Sequence, residues 1–460
     1  MHRRAWQLLL AVTVLFAQGP EAVFAARGDG SAASPPPIRL AGAEFELGPL
    51  EGELFESAAA GDVDRHWLFT AALVAGGTSD SDRIEAYRTR VEQSIDRLRQ
   101  TGAAGQEPRD RAQAVFELLH RRICYGDYQV ECTDPAETLD TGRYNCVSSA
   151  VLFNCLAEGV GLTALAVEKP GHAYSVLELA DERLDVETTC SRWFEIVDDP
   201  QARREILSRA TAHLNGPIDG RSARFGPPPA EYVADRELSR PALVALIYYN
   251  RGVDFLEERR FEEAVAANAK AWRLDPDSRT IFGNLLAALN NWALDLADRA
   301  EFQRAVDLLR QCRGFAPEHR PFRVNQVAVY QRWIERLVDQ NHYRQALAIA
   351  GQAEQDLPAN EHLDATRWDI YRGWSLHLAD RGQLDEALDL LADARRRYPG
   401  RAEVSEAEAA AVNHRGLHLL AESRFEAAVA VFDRGLTLQP AHKVLRHNRR
   451  AAILERARTR

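Results

Sequence analysis

"TGRYNCVSSAVLFNCLAEGVGL" runs from Thr141 to Leu162. It reads as a loop feeding an amphipathic helix, with Cys146 where the helix begins. A thiol at a helix N-terminus feels the positive end of the backbone dipole, which favours the nucleophilic thiolate. Cys155 follows Cys146 by about half a turn out of phase and reads as core. Gly159 and Gly161 read as a helix stop and a turn. "GVGLTA" (159–164) only loosely mimics a dinucleotide fingerprint, because it follows a helix where that motif follows a strand.

Short β-like runs come next: "LTALAVE" (162–168), "HAYSVLEL" (172–179) and "RLDVETT" (183–189), the first two separated by the turn Lys169-Pro170-Gly171. His172 opens the second run, and Gly171 before it would let a substrate backbone approach. Glu187 lies in the third. A cysteine, a histidine to take its proton and a carboxylate to orient the imidazole are the parts of an activated thiol. Their order over 146–187 suits a helix and two adjacent strands converging at one edge. Asp185, two residues before Glu187 on the same strand face, could serve as the acid instead.

Upstream, residues 51–123 carry helical periodicity, with Ile84, Tyr87, Val91 and Ile95 on one face and Ala112, Val115, Leu118 and Leu119 on another. In "TDPAETL" Asp134 can cap a helix, Pro135 takes its first position and Glu137 completes a capping box. Helices followed by antiparallel strands predict an α+β domain. At the chain start, "MHRR", the apolar "AWQLLLAVTVLFA" and Val23-Phe24-Ala25 form a signal-peptide pattern with a cut after Ala25. The expectation is an exported protein, periplasmic or extracellular, with no membrane segment after cleavage.

Beyond "NGPIDGRSARFGPPPAEY" (215–232) a repeat begins. Prolines stand at 276, 317, 358, 399 and 440, each 41 residues after the last. The same step relates Phe261, Phe302, Tyr343, Leu384 and Phe425. It relates Ala264, Ala305, Ala346, Ala387 and Ala428, and also Ala271, Cys312, Ala353, Ala394 and Gly435. Four columns over five copies specify stacked repeat units. The predicted organisation is a signal peptide (1–25), a disordered linker (26–45), an N-terminal helical region (46–107), a catalytic core (108–214), a linker (215–240) and a repeat array (241–460) of five units with a capping helix.

Two resemblances follow from these residues. "NCVSSAVLFNCLAEGVGL", "GHAYSVLEL" and "DVETT" resemble the core of the transglutaminase-like superfamily of papain-type cysteine enzymes, best over 108–195. That resemblance implies Cys146 as nucleophile, His172 as general base and Glu187 as the third member, a glutamate where the family usually has aspartate. "RFEEAVAANAKAWRLDP" (260–276) resembles the second helix of a tetratricopeptide (TPR) repeat. Gly252 and Gly416 stand where that family often has a small first-helix residue. The 41-residue period exceeds the family's usual period of about 34 by about two helical turns, so the first helix can lengthen without much rotation of its apolar face. The implied fold is a multidomain chain, an α+β transglutaminase-like domain followed by an all-α TPR-like solenoid. The implied activity is amide acyl transfer, chiefly peptide or amide hydrolysis, with a protein or peptide ligand in the TPR-like groove. The alternative is a catalytically inactive core serving as a protein-interaction scaffold.

Composition sets the limits. The chain has 460 residues and a formal net charge of -11, which argues against nucleic acid as a partner. Five of its six cysteines lie within 124–190. Export permits disulfides, and Cys124–Cys132 is the candidate pair; Cys190 and Cys312 read as structural. His120 and Cys124 are four apart on a helix, but no second ligand pair follows, so neither a metal nor a cofactor is expected. The polar Asn250, Arg251, Asn290 and Asn291 stand where they could line the repeat groove.

Overall fold

Helix α1 (Pro49–Ala60) and helix α2 (Arg65–Gly76) open the part of the chain that the computed structural model describes, which comprises residues 47–102, 107–180, 182–210 and 235–459. The expected signal peptide, the 26–45 linker and the 215–240 linker up to residue 234 lie outside the described residues. The chain divides into two compact units, residues 1–293 with 311–321, and residues 294–310 with 322–460.

In the first unit, α3 (Ser81–Gln100) and α4 (Pro108–Leu118) follow, the latter running into a π-helical turn at Leu119–Ile123. Asp134 caps α5 (Pro135–Thr141) by accepting from the Ala136 amide, with Pro135 at the first position. Next come α6 (Cys146–Gly159), β1 (Thr163–Lys169), β2 (His172–Glu178), β3 (Arg183–Val186), α7 (Trp193–Ile196) and α8 (Pro200–Ala210). A strand that the sequence did not reveal, β4 (Arg236–Leu238), ends the expected linker. The sheet order is β3-β2-β1-β4 and every pairing is antiparallel. In the β1–β2 turn Gly171 adopts φ +69°, a left-handed backbone that a side chain would strain.

Helix α6 is not amphipathic as expected. Every residue from Cys146 to Ala157 is buried, and so is Gly159. A helix buried all round lies in an interior, and its polar Ser148 and Ser149 are satisfied there by hydrogen bonds; α6 is enclosed by α2, α3, α4, α5, β1 and β2. A Cβ on Gly159 would stand 2.4 Å from the Ile95 side chain, so α3 and α6 approach closely there.

The first helical pair, α9 (Arg240–Glu257) and α10 (Phe261–Leu274), belongs to this same unit. Glu51 of α1 accepts from Tyr248 Oη at 2.8 Å and from Lys270 Nζ at 2.7 Å. Arg236 bridges Glu168 of β1 and Asp275 just after α10. The α+β body therefore does not end at the expected linker. Charged and apolar side chains of the first repeat complete it.

The helical pairs continue as α11 (Arg279–Asp298), α12 (Phe302–Phe315), α13 (Arg320–Asp339), α14 (Tyr343–Asp356), α15 (Glu361–Asp380), α16 (Leu384–Arg397), α17 (Ala402–Ala421), α18 (Phe425–Leu438) and α19 (Lys443–Arg458). The five second helices begin at the aromatic or leucine column and are each 14 residues long. The first helices α11, α13, α15 and α17 are 20 residues long. All five alanines at 264, 305, 346, 387 and 428 are fully buried, as close helix packing needs. The turn between first and second helix has its own 41-residue column. Arg259, Ala300, Asn341, Gly382 and Ser423 all take φ between 59° and 81°, a conformation that costs a side-chain-bearing residue roughly 1–2 kcal/mol. Within the second unit Trp333 stacks on Phe302 and Trp374 on Tyr343, at centroid distances of 5.9 and 6.0 Å. Among the described residues no helix is long and apolar enough to cross a membrane.

Candidate active site

Asn145 sets the start of α6. Its backbone is extended, and its Oδ1 accepts from the amides of Val147 (2.9 Å) and Ser148 (3.0 Å). The Ser148 hydroxyl accepts from the Asn145 amide, closing a capping box. Cys146 is thus the first helical residue, and its own amide points out of the helix end, where no helical carbonyl can reach it.

The sheet brings the other two residues to this end. His172 begins β2, directly after the turn at Gly171, and Glu187 follows β3, the neighbour of β2. His172 Nε2 lies 2.7 Å from Glu187 Oε2. The Cys146 thiol lies near enough to the imidazole to favour its charged form. Cys146, His172 and Glu187 are 8%, 5% and 0% exposed. Burial works against a charge on His172. The nearby Cys146 thiol and the hydrogen-bonded Glu187 carboxylate favour the charged ring and outweigh burial, and the imidazole is pushed up to about 10.

Glu187 is held at both oxygens. Its Oε1 accepts from the Thr189 amide (3.0 Å) and the Thr189 hydroxyl (2.6 Å). Thr188 shares a 2.8 Å hydroxyl contact with Ser149 of α6, which ties the acid's backbone to the thiol's helix. Asp185 points elsewhere, to Arg203 at 2.8 Å. The geometry therefore pairs Glu187, and not Asp185, with the histidine.

The remaining cysteines lack this setting. All are free thiols, so Cys124 and Cys132 do not form the candidate bridge. Burial pushes Cys312 up to about 12 and Cys132 to about 11, and raises Cys124, Cys155 and Cys190 as well. His120 packs on Phe116, with ring centroids 4.5 Å apart, and burial lowers it to about 4. It is a neutral core side chain. Among the described residues no group of three or more His, Cys, Asp or Glu is arranged to hold a metal.

Sequence reasoning missed several neighbours. Asn145 with Ser148 three residues on is a readable cap signature. Thr189 lies inside the quoted "RLDVETT". Tyr128 carried no signal; burial of its hydroxyl end, with the nearby Cys146 thiol next, raises the phenol while the rest of the ring stays exposed. Tyr128 shares its loop with Tyr125 and Val130, and all three are exposed large apolar side chains. Two expected groove residues face inward instead. Asn250 Nδ2 donates to Thr133 Oγ1 (3.1 Å) and Arg251 Nη1 to the Ala75 carbonyl (2.5 Å).

No protein-family model matches the chain, and no curated protein does. Among solved structures, YrrB, described as a TPR protein with an unusual peptide-binding site, aligns at 19% identity over 45% of this chain and 92% of its own, with a TM-score of 0.17. The TPR domain of P58(IPK) aligns at 11% identity over 81% of this chain and 99% of its own, with a TM-score of 0.19. At such TM-scores nothing is inferred from either likeness, and the helical repeat stands on this chain's own elements.

Proposed function

We propose that the chain couples a thiol-dependent acyl-transfer centre, on a transglutaminase-like core, to a TPR-like array that holds a protein or peptide partner. The observation that carries the enzymatic half is the buried 2.7 Å contact between His172 and Glu187 with the Cys146 thiol close to the same ring. In this reading His172 takes the thiol proton and the Cys146 sulfur attacks an amide carbonyl. The Cys146 amide and the helix dipole stabilise the oxyanion. Imidazolium returns its proton to the leaving amine, and a thioester remains. Water, deprotonated by His172, then releases the acid; an amine in its place would give a cross-link. Hydrolysis is favoured. The exposed Tyr125, Tyr128 and Val130 offer an apolar contact for the substrate beside the thiol.

The second reading makes the chain a protein-interaction scaffold with an idle core. The helical repeat array, which fills the C-terminal half, supports it independently of the triad. One experiment separates the two: iodoacetamide labelling of the folded full chain near neutral pH, with peptide mapping. The enzymatic reading expects Cys146 to be labelled first and His172→Ala to slow it. If Cys146 stays unlabelled, the scaffold reading replaces it.

A further inference from the structure

We propose that Asn250, on the first repeat helix, is a positioning residue for the thiol centre and acts through Thr133 and the Asn145 cap. This rests on the thiol-centre reading above. Asn250 Nδ2 donates to Thr133 Oγ1 at 3.1 Å, and Asn145 Nδ2 donates to the same oxygen at 2.6 Å. Asn145 Nδ2 also donates to the Val130 carbonyl at 2.9 Å. The orientation of the Asn145 amide is thereby set on its nitrogen side, which aims its oxygen at the first amides of α6. Thr133 and Asn145 are both buried, so a bond lost there is not replaced by water. His172 and Glu187 are fixed separately, by the sheet and by Thr189. What Asn250 secures is the other half of the geometry, the start of the thiol's helix.

Helix α9 is anchored well enough to serve as a fixed point. Arg240 donates to the Val63 carbonyl (3.0 Å) and to Glu158 (2.8 Å), and Arg251 to the Ala75 carbonyl. Glu158 lies in α6 itself. The first repeat helix therefore braces the nucleophile helix near both ends, through Asn250 at the cap and Arg240 at the last turn.

The test is the pH profile of Cys146 alkylation in the full chain. Compared are the parent, Asn250→Leu, Thr133→Val, Thr133→Ser and the double variant Asn250→Leu/Thr133→Val. Loss of one hydrogen bond in the relay should slow labelling at neutral pH on the order of threefold to tenfold. It should also move the acid limb toward the free-thiol range. Thr133→Ser keeps the hydroxyl and should restore the parent profile. The double variant should be no worse than either single one, because both break one path. A parent profile in Asn250→Leu, or additive losses in the double variant, would overturn the proposal while leaving the thiol centre standing. If Asn250→Leu does not fold, Thr133→Val against Thr133→Ser decides: equal profiles overturn it. A parent that itself titrates as a free thiol near about 8.5 removes the thiol-centre reading, and this inference with it.

Discussion

Glu187→Gln should reverse a hydrogen bond without changing the volume of a fully buried side chain. Two donors of Thr189 converge on Oε1, at 3.0 and 2.6 Å, and will hold the amide oxygen of glutamine there. The amide nitrogen must then face His172 Nε2, where the carboxylate oxygen stood at 2.7 Å. A donor meets a donor unless Nε2 gives up its proton, so the imidazolium loses its partner. The lost charge-assisted bond is worth roughly 1.5–3 kcal/mol, or on the order of ten- to a hundredfold in a rate that depends on the charged pair. The His172 imidazole should fall from about 10, because burial remains while the opposing carboxylate is gone. The assay is iodoacetamide labelling of Cys146 across the range below the free-thiol value of about 8.5, with circular dichroism to check the fold. Asp185→Asn is the control. It breaks a partly exposed ion pair with Arg203, and labelling should not change. A folded Glu187→Gln protein that labels at the parent rate would refute the reasoning.

The same histidine links stability to pH. Its folded value of about 10 lies above the unfolded value of about 6.5. Its contribution is therefore present in full below about pH 6.5 and lost as the pH rises through about 10; the melting temperatures of parent and His172→Gln should converge over that window, and a constant gap would contradict it. Gly416→Ala would place a Cβ 2.3 Å from the ring of Phe432, which is fully buried and has nowhere to go. It should destabilise by roughly 1–3 kcal/mol, and an unchanged thermal melt would disprove the close approach. Ala300 and Gly382 occupy one register position with φ of 64° and 81°. Ala300→Gly should therefore stabilise and Gly382→Ala destabilise, each by up to about 1 kcal/mol in chemical denaturation.

By itself the sequence determined whatever depends on residues close along the chain. The 41-residue columns placed the start of every second helix, because each unit buries the same small side chains against its neighbours. Asp134 and Pro135 announced the start of α5, because a cap is a contact between residues a few positions apart. The order Cys146, His172, Glu187 could be read because helix, hairpin and strand follow one another directly. Tertiary structure decided the rest. Asp185 and Glu187 are alike in sequence, and only the fold sends one to Arg203 and the other to His172. Strand β4 was hidden because a three-residue strand has no period of its own and exists only by pairing with β1. Asn250 looked like a groove residue because its helix carries the repeat pattern, yet its partner Thr133 lies 117 positions away. A contact over that separation leaves no trace in local periodicity; it arises because α9 covers apolar surface that the α+β body would otherwise expose to water.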